Sequence, residues 1–142
     1  MFQEKEVMRN DEHKKLVRFY LDNALMSLNS SKILQETSLN SEIKNGFHFL
    51  DNNFESYLWV VNTSYYSMFY MASALLACEG IKVKSDIGVH KKTFEVLVYY
   101  FYLTNKLSKY FLEIFEEALE ESQELLVLKE KALGIFQNYD SE

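Results

Sequence analysis

The chain has no proline and only 4 glycines in 142 residues. Sheet-rich and loop-built folds need more turn residues than that, whereas long helices need few. It has one cysteine, Cys78, so an internal disulfide and a cysteine-rich metal site are both excluded. The expected place for Cys78 is a helix interface, as a small buried hydrophobe. It has 3 histidines, His13, His48 and His90, without ligand-like spacing and with no HExxH. There is no glycine-rich phosphate loop and no nucleophile elbow, so no cofactor, no metal ligand set and no Ser/His/Asp triad is expected. The apolar runs break well before the ~20 residues of a spanning helix, and the N-terminus lacks the apolar core of a signal peptide. The expectation is a cytoplasmic protein without membrane contact. A formal charge of -6 excludes a broad basic field for wrapping nucleic acid, though not a local basic patch.

What is present is a chain 48% hydrophobic and 25% charged, long enough for one domain with a real core. A single domain over residues 1–142 is expected. Its 10 tyrosines and 11 phenylalanines are the compositional anomaly, because each buried tyrosine needs a polar partner for its hydroxyl. Spacing of three and four predicts a helix from about Asp11 to the early thirties, through Val17, Tyr20, Ala24 and Leu28, with Leu21 and Leu25 widening the stripe. Asn10 or Asp11 would cap it, and Asn29-Ser30-Ser31 would end or bend it. The stretch from Lys32 to Asn53 allows one or two helical turns and a stop at Asn45-Gly46.

The clearest pattern is a helix from about Asn53 to Glu79, with an Asn52/Glu55 capping box and Gly80 just past its end. Leu58, Val61, Tyr65, Met68, Ala72 and Leu75 form one row. Ser64, Ser67, Met71, Ala74 and Cys78 form a second, small enough for another helix backbone to approach. Tyr65, Tyr66 and Tyr70 cannot share one direction, so part of this aromatic surface is expected to meet a partner, first of all a second copy of the chain. Ser85 or Asp86 would cap a further helix from Val89 to about Leu103. The last helix would run from about Lys106 to the mid-130s, with Leu107, Phe111, Ile114, Ala118, Ser122 and Leu125 as its inner edge and Phe115, Leu119 and Leu126 beside that edge. Two glutamate ladders, Glu113/Glu117/Glu121 and Glu116/Glu120/Glu124, would lie outside. The fold class is therefore all-α, an antiparallel up-and-down bundle of four or five helices.

The one locally basic segment holds Lys82, Lys84, Lys91 and Lys92 around His90. Such a patch suits phosphate or an acidic partner through point charges, with little base readout. His90 is the weak catalytic candidate. Tyr65, Tyr66, Tyr70 and the four lysines are the interface or binding candidates.

The segment Asn62-Thr63-Ser64-Tyr65-Tyr66-Ser67-Met68-Phe69-Tyr70-Met71-Ala72-Ser73-Ala74-Leu75-Leu76 resembles the central helix of HEPN-domain proteins. There a tyrosine pair is followed by a small residue, an apolar residue, phenylalanine, and then small residues and leucines. Gly80 to Val89 resembles the loop and helix start that follow, and the similarity covers about Asn62 to Phe94. The resemblance implies a helical bundle, commonly dimeric. It also implies either a ribonuclease, often a toxin paired with a nucleotidyltransferase, or a non-catalytic binding module. Nucleolytic members carry an arginine, four to six residues and a histidine. Here Arg9 precedes His13 by too few residues, and Arg18 has no histidine within reach. Thr63 and Asp86 stand where an arginine and a histidine are common. The expectation is thus a non-catalytic HEPN-like module that forms a homodimer and binds a protein such as a small nucleotidyltransferase. The alternatives are a ribonuclease with a non-standard site, using His90 with Lys91, Lys84 or a tyrosine, and binding of RNA or a nucleotide without chemistry.

Overall fold

The computed structural model describes residues 7–84 and 88–139, with side chains described as far as residue 124. Five helices carry the fold: α1 Val17–Leu39, α2 Ser41–Asn45, α3 Tyr57–Cys78, α4 Val89–Leu97 and α5 Lys109–Tyr139. Two three-residue strands, β1 Val7–Arg9 and β2 Ile81–Val83, pair antiparallel with Met8 opposite Lys82. The sequence reading had no strand here. No described helix is long and apolar enough to cross a membrane.

The expected start of the first helix at Asp11 is a 3-10 turn, Asp11–Leu16, capped by the Asn10 side chain, which accepts from the Glu12 N–H at 2.9 Å. The α-helix proper begins at Val17 and passes straight through Asn29-Ser30-Ser31. The serines do not break it because their hydroxyls find acceptors without unwinding the backbone. Ser30 donates to the Met26 carbonyl at 2.9 Å, and Ser31 reaches across to the Val60 carbonyl at 3.2 Å. Asn40 then ends α1 and caps α2, accepting from Glu42 N–H and Ile43 N–H, and Gly46 closes α2. The stretch left open between Lys32 and Asn53 is thus the last two turns of α1, the short α2 and a loop.

The second predicted helix starts later than expected, at Tyr57. Its proposed Asn52/Glu55 box does not form: Asp51 accepts from the Asn53 N–H in a local turn, and Ser56 holds the N-cap position. The Ser56 hydroxyl is committed elsewhere, to Ser38 at 3.0 Å, and the Ser56 N–H donates to the same Ser38 oxygen. This pair opens an antiparallel seam between α1 and α3. Farther along, Ser31 meets Ser64 at 2.6 Å, and Ser67 donates to the Ala24 carbonyl at 2.9 Å. The small row of α3 is therefore where the α1 backbone comes close, and each buried hydroxyl in the seam has a partner.

Gly80 ends α3 with φ +71, a conformation that side chains rarely adopt. Its carbonyl accepts from the Asn10 N–H at 2.9 Å, which ties the 3-10 turn to the end of α3. A Cβ there would sit 3.1 Å from the Asn10 carbonyl oxygen. Gly80→Ala is expected to lower stability by about 1–3 kcal/mol through backbone strain and this close approach; urea unfolding of the two proteins checks it.

The VLVYYFYL run is helical, as expected. α4 passes into a π-helical turn, Val98–Tyr102, which buries Phe101. Thr104-Asn105 is the break, with Asn105 at φ 56. The residues proposed as the cap of α4, Ser85 and Asp86, lie outside the described residues. α4 instead follows Gly88, which has φ 80.

The core joins Tyr65, Leu76, Ile81, Val96, Phe101 and Phe115 with Leu112 and Leu119. It corrects part of the face assigned to α5. The buried row is Leu112, Phe115, Leu119 and Ser122: Ser122 is on the expected edge, Phe115 and Leu119 were expected beside it, and Leu112 was in neither row. Of the expected edge, Phe111 and Ile114 are instead 60% and 36% exposed and Ala118 is half-buried, and the Leu125 side chain lies outside the described residues. α5 contacts both α3 and α4, and this orientation sets Phe115 between them. The outer face carries Glu113, Glu116, Glu117, Glu120 and Glu121, all exposed as expected.

Candidate binding site around His90

Tyr65, Tyr66 and Phe69 lie within four residues of one another on α3, so 65 and 69 sit one above the other and 66 beside them. His90, on the first turn of α4, rests against all three. Ring centroids are 4.4 Å away at Phe69, 5.5 Å at Tyr65 and 5.7 Å at Tyr66. The Tyr65 hydroxyl and His90 Nδ1 form a hydrogen bond of 2.8 Å. Behind it, the buried Tyr65 ring stacks on Phe115 at 6.1 Å with an interplanar angle of 11°. Phe115 packs on Phe94 in turn.

Burial sets the charge state of this pair. It pushes the Tyr65 hydroxyl far above its ordinary range, with a smaller contribution from Tyr66, and pulls the His90 imidazole down. Tyr65 therefore keeps its proton at neutral pH and His90 is uncharged, so the bond joins two neutral groups. Tyr65 cannot serve as a base here. The depressed His90 value has a consequence for stability. Below the ordinary histidine value of 6.5 the unfolded chain takes up a proton that the folded chain resists. His90's contribution is complete above that pH and is lost as the pH falls through the lower folded value. His90→Asn, which removes the titration while keeping a polar atom near Nδ1, is expected to flatten stability between ~pH 7 and ~pH 5; urea midpoints across that range check it.

The three tyrosines divide as their spacing requires. Tyr65 faces the core, Tyr66 is exposed beside His90, and Tyr70 is half-buried against Tyr20 of α1 at 6.5 Å. The lysines are not gathered on His90. Lys91 is exposed and one residue away, a step that turns side chains on a helix away from each other. Lys92 is half-buried on α4, Lys84 is exposed past β2, and Lys82 lines a separate cavity of about 300 Å³ with Tyr20, Phe69 and Tyr70. Of the partners considered for His90, the tyrosine alone makes a hydrogen bond among the described residues. His13 lies in the 3-10 turn and His48 in the loop after α2. Among the described residues no group of His, Cys, Asp and Glu could hold a metal ion.

A cavity of about 310 Å³ opens beside His90, between α3 and α5, lined by Asn62, Ser122, Tyr66 and Trp59 among others. Ser122 donates to Asn62 Oδ1 at 3.1 Å, and both residues are more than 90% buried. Neither was singled out as a site residue in the sequence. The available signal was Asn62 itself, an amide three residues before Tyr65 on an otherwise apolar face.

A second concavity, of about 360 Å³, is apolar. Its floor is Met68, Met71, Ala72, Leu75 and Cys78 of α3, and its walls are Val17 and Leu21 of α1 with Leu107 and Phe111 of the α5 side. Cys78 is exposed here, not buried as expected. Cys78 lies at the floor of this concavity, with α1 residues on one wall and the α5 side on the other.

Comparison of the chain with protein-family models, with curated proteins and with solved structures finds no match in any of the three.

Proposed function

We propose that this chain is a non-catalytic helical module of the HEPN type whose task is association. It pairs with a second copy of itself through the apolar groove of α1, α3 and α5, and the dimer binds a protein partner, with a small nucleotidyltransferase as the candidate. The observation that carries this reading is the exposure of large apolar side chains along one groove. Met71 is 52% and Phe111 60% exposed, and the walls continue by helical spacing through Leu25 and Leu28 on α1 and Ile114 on α5. With Leu21, these six residues are each 36–60% exposed. Covering a half-exposed side chain of this size stabilises by on the order of 1 kcal/mol. A two-fold interface counts each residue twice, giving on the order of 10 kcal/mol, comparable to the roughly 4–15 kcal/mol cost of association.

The resemblance supports the dimer, and the lack of an arginine at Thr63 and of a spaced arginine–histidine pair supports the absence of nuclease chemistry. Light scattering across a concentration series is the test, with twice the chain mass expected at micromolar concentration and the chain mass throughout as the opposing result. The second reading, a ribonuclease using His90, draws on the His90–Tyr65 hydrogen bond. Cleavage of RNA by the purified protein that disappears in His90→Ala would replace the first reading with this one.

A further inference from the structure

We propose that the cavity between α3 and α5 beside His90 is a binding site for a small, uncharged, planar heterocycle with a lactam edge, an adjacent ring carbonyl and N–H. The chemistry comes from Asn62 and Ser122 at the cavity wall. Asn62 Oδ1 is occupied by the Ser122 hydroxyl, and among the described residues the Asn62 Nδ2 donates to no acceptor. Asn62 is 8% exposed and lines the cavity, and no enclosed side-chain nitrogen or oxygen among the described residues lacks a partner, so this donor reaches the accessible space of the cavity, where water or a ligand can meet it. Beside it, Ser122 Oγ has given its proton to Asn62 and keeps its lone pairs. A donor next to an acceptor is the complement of a lactam: the carbonyl accepts from Asn62 and the ring N–H donates to Ser122. Turning the amide over exchanges the two roles and leaves the same complement.

Shape and charge narrow the class further. The volume of about 310 Å³ lies at the small end for ligand sites. Trp59 and Tyr66, both about half exposed, give the cavity lining an aromatic part. Among the described residues the lining holds no Lys, Arg, Asp or Glu, and burial keeps His90 in the wall uncharged at neutral pH. A phosphate would meet no cation of the described lining, so the ligand is a free base or similar heterocycle and not a nucleotide.

Trp59 is the only tryptophan of the chain and lines the cavity, so its fluorescence is a direct reporter. The full chain is titrated with hypoxanthine and uracil, which carry lactams, with purine, which lacks the carbonyl, and with inosine monophosphate. Saturable quenching by a lactam probe is expected, with purine and the monophosphate at least about tenfold weaker. Asn62→Asp keeps the shape and the acceptor for Ser122 but deletes the donor, and is expected to weaken the lactam probe by about tenfold or more. Tyr66→Ala, at an exposed position, tests the stacking wall if Asn62→Asp does not fold, and is expected to weaken the same probe by roughly tenfold. No saturable quenching by either lactam up to millimolar concentration overturns the proposal. So does purine or the monophosphate binding as well as the lactams, or unchanged affinity in the folded variant.

Discussion

Phe115→Ala is expected to cost about 3–5 kcal/mol of stability, the largest effect of any single truncation considered for this chain. The ring is 3% exposed, stacks on Tyr65 and packs against Phe94, so it joins α3, α4 and α5. Its removal takes away the apolar burial, leaves a cavity and forfeits two ring contacts worth roughly 0.5–1.5 kcal/mol each beyond area. A domain of this size has a total stability of only about 5–15 kcal/mol, so a large part of it would be lost. Denaturant unfolding measures this. The contrasting variant is Phe111→Ala, one turn earlier on the same helix and 60% exposed. At concentrations where the chain is monomeric it is expected to cost less than about 1 kcal/mol. Equal losses from the two would contradict the placement of Phe115 inside and Phe111 outside. Tyr65 rests on Phe115 and His90 hydrogen-bonds to Tyr65, so Phe115→Ala should also loosen the wall of the ligand cavity.

Met71→Glu and Phe111→Asp are expected to weaken self-association by at least about a hundredfold each. Both positions lie in the groove, at its floor and its wall, and both are half exposed or more in the single chain. The folded monomer should therefore accept a charge at either place. A dimer would have to bury that charge without a partner, which costs far more than the lost apolar contact. Sedimentation equilibrium gives the dissociation constants, and far-ultraviolet circular dichroism should be unchanged. Phe49→Asp is the control: Phe49 is 82% exposed in the loop after α2, far from the groove in the chain. It should leave the mass as it is.

Much of the bundle could be read in the sequence because its helices are long and its breaks chemically explicit. Gly46, Gly80 and Thr104-Asn105 stop helices where expected, Gly80 and Asn105 at positive φ and Gly46 with an ordinary right-handed φ of -68. The errors have a common source in tertiary partners. Asn29-Ser30-Ser31 looked like a break because serine competes for backbone groups, but the Ser31 partners lie 29 and 33 residues away on α3. The same holds for Ser56, whose partner Ser38 belongs to another helix. On α5 the exposed Phe111 and Ile114 were put on the inner edge and the buried Leu112 was left out, because Leu107, Phe111, Ile114 and Ala118 are spaced as well as Leu112, Phe115 and Leu119. Apolar stripes on both sides cannot be ranked without the helices they meet. The short β1–β2 pair carries too few residues for an alternating pattern.

The site was only partly legible. Tyr65, Tyr66 and His90 were candidates and come together, whereas the four lysines attach to different surfaces. Asn62 and Ser122 lie 60 residues apart, and nothing local marks them as a pair.

The account's central claim is that the groove of α1, α3 and α5 is the face buried between two copies, and Cys78 reports on it directly. It is the only cysteine, it is exposed in the single chain, and it lines that groove. The measurement is the second-order rate of Cys78 alkylation across a protein dilution series. The expected result is a rate that falls about tenfold or more as concentration rises through the dissociation constant, with Met71→Glu reacting at the dilute rate throughout. A rate that is the same at every concentration would contradict it.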